Sequence, residues 1–353
     1  QSTIPISINQ GTVVADVYAA VPGAAPLGAA GNVVTVASTD AVLALLNGAS
    51  PPPVAGTIHL DNATGFLFRG AIIRTGPTGN FVLSGDIDLG SNRSILGAAF
   101  DNSESDPMAL ELDGVISGGG LITNGIVSLT NPNNTYTGPT VVSMPPVRPL
   151  DSGGTITYGY LMDGGNTNDA ALTLMNGGRI VTSSSITVER GAMLKIDDRG
   201  TNMTNDAVAD TIPITLDGGI LSEWNAAANP GAEVLGNVRA ALGDSKIALY
   251  GDSMGQFGSI TLQSLTRDPG ATVTFNTITA APYGNSTTGR VYITATPTLT
   301  NGIIGGWAVA GTRDVPLFAT YGPDGVVPIS TYQTQLTTAA PTDNVVLLSS
   351  GGT

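Results

Sequence analysis

From Gly56 onward, apolar and polar residues alternate in runs of about four, each closed by Gly, Asn or Asp. Gly56-Thr-Ile-His-Leu60, Phe66-Leu-Phe68, Phe81-Val-Leu83, Asp86-Ile-Asp-Leu89 and Ser94-Ile-Leu96 set the pattern. A period of two turns one side of each run toward a core and the other toward solvent, which predicts short strands. Gly and Asn at the junctions suit corners where φ turns positive. Three later segments echo one another: Leu110-Glu-Leu-Asp-Gly-Val-Ile, Leu172-Thr-Leu-Met-Asn-Gly-Gly-Arg-Ile180 and Ile214-Thr-Leu-Asp-Gly-Gly-Ile-Leu221. Their starts lie about 60 and about 40 residues apart, near multiples of a coil of roughly 20 residues. The chain is therefore expected to be all-β, a stacked solenoid in which inward Leu, Ile and Val of one coil rest on those of the next. At that period it would make about 15 coils and a rod of roughly 70 Å.

Not every segment follows the pattern. Residues 1–55 read as an N-terminal arm, and Ser38-Thr-Asp-Ala-Val-Leu-Ala-Leu-Leu-Asn47 predicts a short helix that would cap the first coil. The solenoid itself is expected over 56–353. Loop or helical insertions are expected near 145–155, 197–210 and 225–243, the last with a helix after Asn229-Pro230. Nothing between them is rich enough in Ser, Gly or Pro to mark a second domain.

Composition agrees with many short strands and narrows the function. Apolar residues make up 41% of the 353 positions but charged ones only 11%, and 47 Gly and 22 Pro leave little room for long helices. The surface must then be covered largely by Thr, Ser, Asn and Gly, a pattern of exported bacterial surface proteins. A formal charge of -14, from 27 acidic and 13 basic residues, argues against a nucleic-acid partner, since phosphates would meet no basic patch. With no cysteine there can be no disulfide, thiol nucleophile or Cys-bound metal. The chain opens on Gln1, as a mature chain would after loss of an export signal. No apolar stretch approaches the roughly 20 residues of a membrane-spanning helix, so no membrane insertion of this segment is expected.

One segment carries a family resemblance. Gly119-Gly120-Leu121, then Ile126-Val-Ser-Leu129, then Asn134-Thr-Tyr-Thr-Gly-Pro-Thr-Val-Val142, is similar to the passenger β-strand repeat associated with autotransporter export. Pro139 stands where that repeat usually has Gly, and Met144-Pro-Pro146 replaces its Gly-rich return. Ser264-Leu-Thr-Arg-Asp-Pro-Gly-Ala-Thr-Val-Thr-Phe275, Leu299-Thr-Asn-Gly-Ile-Ile-Gly-Gly-Trp-Ala-Val309 and Phe318-Ala-Thr-Tyr-Gly-Pro-Asp-Gly-Val326 resemble segments between such repeats. The resemblance implies a right-handed parallel β-helix, secreted or held at the cell surface, and supplies no catalytic residues. In such proteins Asp343 to Gly352 opens another coil. Val345, Val346, Leu347 and Leu348 are thus expected at an open end, available to a second copy or to neighbouring coils of a longer chain.

Residues that could carry chemistry are sparse. His59 is the single histidine, which excludes a multi-His metal site, and alternation with Ile58 and Leu60 turns it outward. Asp101, Glu104 and Asp106 form the densest acidic loop and are the candidate Ca²⁺ ligands; no other cofactor is expected. Asp86 and Asp88 share a strand face and need a cross-coil partner or a cation between them. Asp197-Asp198-Arg199 could hold a cation and an Arg as polysaccharide lyases do, although neighbours on a strand point to opposite sides and a solvated turn is the plainer expectation. Trp224 and Trp307 could stack on sugars or fill coil junctions. Gly118-Gly119-Gly120 follows a strand but opens no helix, which argues against a phosphate loop.

The function expected is that of a non-enzymatic extracellular structural protein, a β-solenoid subunit of a fibre, filament, layer or matrix assembled through head-to-tail and strand contacts. The alternatives are an adhesin or glycan-binding passenger with extracellular polysaccharide as partner, then a polysaccharide-degrading β-helix enzyme.

Overall fold

The computed structural model describes residues 4–16, 27, 31–46, 56–61, 63, 70–75, 81–91, 93–98, 110–143, 170–200, 205–225, 231–250, 258–277, 289–312 and 315–346. Their strands stack into three ladders, one on each face of a β-solenoid. The first ladder has five strands, Ile6–Ile8, Val33–Val36, Thr57–Leu60, Ile87–Asp88 and Ile116–Ser117. The second runs through 11 strands from Gly11–Asp16 to Arg290–Ile293. The third starts at Phe81–Leu83 and reaches Ala308–Thr312 by parallel pairing. One coil visits them in turn, as Ile116–Ser117, Gly120–Asn124 and Ile126–Leu129 do around corners at Gly118 and Gly125, both with positive φ.

The described residues contain no helix. Ala41–Leu46 is a strand of the second ladder, paired on one side with Gly11–Asp16 and on the other with Ile72–Thr75. Its Ala and Leu would serve a helix equally well. Backbone groups already aligned on both sides decide the matter, because two ladders of hydrogen bonds outweigh a few tenths of a kcal/mol per residue of propensity. The described residues among 1–55 thus form the first rungs rather than an arm. The helix expected after Pro230 is likewise replaced by the 11-residue strand Ala232–Leu242. The insertion near 145–155 lies outside the described residues.

Coil length varies more than a period of 20 suggests. Ile58, Ile87 and Ile116 stack in register 29 residues apart, whereas Leu121 pairs with Thr140 only 19 residues on. Of the three echoing segments, Leu110–Leu112 and Ala171–Met175 lie on the third ladder with Ile126–Leu129 between them, but Ile214–Asp217 lies on the second. Inward side chains form continuous columns, and Ile58, Ile87, Ile116, Leu121, Val127 and Leu172 are all but completely buried. Burial of each is worth about 1.5–3 kcal/mol.

The Asn134 segment shows how a face is held where regular strands stop. The Asn134 side chain accepts a hydrogen bond from Ile116 N in the coil before and donates to Asn131 O and to Arg179 O in the coil after. Tyr136 is buried, its hydroxyl 2.9 Å from Thr140 Oγ1, which in turn meets Ser183 Oγ. Thr137 N and Gly138 N donate to Gly118 O and Gly119 O. This stretch thus continues the first face without a ladder strand.

At the other end, Val315–Gly322 and Gly325–Pro328 add to the third ladder in antiparallel sense. The Tyr321 hydroxyl accepts from Ile293 N and donates to Ile293 O, occupying the edge of the last strand of the second ladder. The expected further coil is not seen in the described part of 343–352. Val345 instead bridges Gln333, with Val346 N donating to Gln333 O; Leu347 and Leu348 lie outside the described residues.

Corners stack as closely as strands do. A β-carbon at Gly85 would stand 1.7 Å from Gly56 O, and one at Gly114 would stand 2.0 Å from Gly85 O, both backbone atoms that cannot yield. Gly85→Ala should therefore destabilise the chain by about 3 kcal/mol or prevent its folding. Gly306→Ala, where a β-carbon meets nothing within 4 Å, should change stability by less than about 0.5 kcal/mol. Thermal melts followed by circular dichroism compare the two, and equal effects would contradict the stacking.

Candidate functional site

The densest chemistry lies on two strands of the third ladder, Met193–Asp198 and Ile220–Asn225, where they turn toward the second. They pair in register, with Ile196 beside Glu223, Asp197 beside Trp224 and Asp198 beside Asn225. Asp197 and Asp198 point to opposite faces, as alternation predicts. The solvated polar turn expected from Asp197 is not what forms: the strand runs on through Asp198, and both carboxylates are buried.

On the outer face Asp197 accepts two hydrogen bonds from the Arg199 guanidinium, at 2.8 and 2.7 Å, and lies 3.0 Å from Lys195 Nζ. Trp224 stacks on Tyr250 at 4.0 Å, while Lys195 Nζ and the Arg199 guanidinium lie 3.9 and 4.5 Å from the Trp224 ring centre. Burial pulls the Asp197 carboxyl upward, but the Arg199 hydrogen bonds and the two positive charges outweigh it and leave the group below its usual range. Burial also lowers Lys195. Met193, Ile220, Ala248 and Ala171 form an apolar cluster on this outer side, with Tyr250 against it. Tyr250, Lys195 and Arg199 thus already engage the Trp224 ring.

The inner face is acidic. Glu223 occupies a core position between Ile196 and Leu249 in the ladder and is 0% exposed, yet neither carboxylate oxygen completes a hydrogen bond. Asp198 Oδ2 and Asn225 Nδ2 are also without a partner. Asn225 Oδ1 accepts from Gly231 N at 2.6 Å. Glu233, on the second ladder, receives Ala207 N and Val208 N, closing the first face as Asn134 does three coils earlier in kind. Burial drives all three carboxyls up. Asp198 rises to about 6 with help from the Asp197 charge. Glu223 is held well above its ordinary value, the nearby Asn225 amide opposing and Asp198 and Glu233 adding to the shift. Glu233 rises to about 8, its two backbone donors opposing, Asp198 and Asp210 adding. Lys195 and Arg199 are engaged with Asp197 on the opposite side of the sheet.

Other candidates fall elsewhere. Asp101, Glu104 and Asp106 lie outside the described residues. His59 points outward and its Nδ1 lies 2.9 Å from Asp88 Oδ2 one coil on, while Asp86 Oδ1 accepts from Val115 N. Cross-coil partners thus separate the Asp86–Asp88 pair. Trp307 packs on the core, with the Arg267 guanidinium 5.4 Å from its ring centre. Gly118 and Gly119 form a corner, and Gly120 starts a strand. Glu223 and Glu233 drew no notice as residues, although an acid in phase with Leu221 along Ile220-Leu-Ser-Glu-Trp-Asn225 is a visible break in the pattern.

Neither family models nor curated proteins nor solved structures give a match to this chain. The class defined by its fold is a β-solenoid with a buried acidic corner.

That corner makes stability depend on pH in a definite sense. Asp198 and Glu233 hold protons more tightly folded than unfolded, so their contribution is full below about pH 4 and is lost as pH rises through about 6 and then about 8. In buffer containing EDTA the melting temperature should fall between about pH 5 and 8.5, and Glu233→Gln should flatten the upper part of that fall. Scanning calorimetry of the two chains decides it; a melting temperature that climbs over this range would contradict the assignment.

Proposed function

We propose that this chain is part of an exported structural β-solenoid of the autotransporter-associated passenger type, a non-enzymatic element of a surface fibre, layer or matrix outside the cell. The observation that carries the reading is the use made of Asn134 to Val142. Asn134, Tyr136 and Thr140 are buried and direct their polar atoms at neighbouring coils, so the motif serves stacking. The small share of charged residues supports a surface built on Thr, Ser and Asn. Partners on this reading are further copies of the chain or neighbouring coils of a longer one. Val345 and Val346 already engage Gln333 within the chain, so strand contacts along the ladder edges are expected beside the head-to-tail one.

Protease added to intact cells of the native host should release fragments of this chain, and purified chain should form lateral assemblies in electron micrographs as concentration rises. Digestion only after lysis would contradict export. Monodisperse rods that bind a glycan array would favour the adhesin reading instead.

A further inference from the structure

The acidic corner is more than a local cost to the fold, because several of its oxygens, two carboxylates' among them without a partner, face one place. Asp198 Oδ2, Asn225 Oδ1 and Glu223 Oε1 stand 2.5, 2.6 and 2.8 Å from the point that a β-carbon on Gly231 would occupy. Gly231 O and the same Glu223 oxygen each stand 2.6 Å from the corresponding point on Gly258, with Asn225 Nδ2 nearer still. A side chain at either glycine would collide with these groups, so glycine on successive coils is what lets oxygens from three side chains and one carbonyl converge on this corner, beside the Asn225 amide nitrogen. Asp198 and Glu223 are 4% and 0% exposed and leave oxygens unpartnered. Buried carboxylates without a counter-charge cost several kcal/mol each, and proteins ordinarily answer with a cation, a metal or a proton.

Among the described residues, the cations at these strands are committed. Lys195 and Arg199 pair with Asp197 across the sheet, and Glu233 is engaged by two backbone amides. Among the described residues no three His, Cys, Asp or Glu side chains converge on one point, so the donor set is two carboxylates with an amide and a carbonyl oxygen. Hard oxygen donors of irregular geometry, without imidazole or thiolate, suit Ca²⁺ better than Mg²⁺, which demands a regular octahedron, or Zn²⁺.

We propose that Asp198 and Glu223, completed by the Asn225 amide oxygen and the Gly231 carbonyl, bind one Ca²⁺ that ties the end of Ile220–Asn225 to the start of Ala232–Leu242. The ion neutralises both carboxylates and fastens adjacent coils at a corner where the core is interrupted. These ligands are distinct from Asp101, Glu104 and Asp106, and the inference does not rest on where the protein works.

The test uses the full chain stripped with EDTA at about pH 8, with Tb³⁺ as luminescent probe and Ca²⁺ as competitor. Trp224, between Glu223 and Asn225 in sequence, should sensitise Tb³⁺ emission, which Ca²⁺ displaces. Millimolar Ca²⁺ should raise the melting temperature by about 3 °C or more. Glu223→Gln and Asp198→Asn, which keep shape while removing charge, should each weaken Ca²⁺ binding at least about tenfold, whereas Asp86→Asn on the outer surface should leave it unchanged. Two results would overturn the proposal: a melting temperature indifferent to Ca²⁺ with no sensitised emission, in which case protons alone neutralise the corner, or Ca²⁺ bound equally well by Glu223→Gln, in which case exposed carboxylates hold the ion.

Discussion

Parallel backbone pairing between one coil and the next is the constraint on which this structure depends. It sets a spacing of about 4.8 Å along the stack, and that spacing applies to corners as much as to strands. Side chains at a corner would collide with the carbonyl of the coil below, which is why Gly56, Gly85 and Gly114 stand in a column. Along the strands the same spacing places Ile on Ile, so a core forms with few aromatics and without any cross-link. Variation in coil length, from 17 residues between Leu110 and Val127 to 46 between Thr140 and Ile186, is absorbed by the connections because the pairing register does not depend on them.

Where the ladder lapses, side chains do its work. Asn134 accepts from the coil before and donates to the coil after and to Asn131 O in its own, and Glu233 accepts from two amides that would otherwise lack partners. The two solutions differ in cost. An amide is neutral and can be buried with all its groups paired. Carboxyls in the same position must first be neutralised, and burying Glu233 near Asp198 and Glu223 makes that requirement collective. A proton or a bound cation meets it, which links the scaffold to the composition of the medium around it.

Much of the fold was legible because period-two alternation and Gly or Asn corners leave strong traces from Gly56 onward. The class and the outward position of His59 could be read from those traces alone. Ala41–Leu46 could not, since Ala-Val-Leu-Ala-Leu-Leu carries no period that separates helix from strand and only the rungs on both sides decide it. The 29-residue recurrence of Gly-x-Ile at Gly56, Gly85 and Gly114 was present in the sequence but obscured by unequal coils further on. The acidic corner was half visible. Asp197 and Asp198 stood out as a pair, but Glu223 and Glu233 are far from them in sequence and meet only through stacking.

Register between coils is the claim most open to direct measurement, and the absence of native cysteine makes the measurement clean. Thr187 and Thr215 face each other in the second ladder on outward positions of adjacent coils. Cysteines placed at both should oxidise to an intramolecular disulfide, since ladder partners fall within the usual Cα separation of about 4.4–6.8 Å. Faster and more complete oxidation of that pair than of cysteines at Thr187 and Asp217, two residues out of step, is the predicted result. Preferential cross-linking of the displaced pair, or none in either chain, would contradict the stacked parallel register.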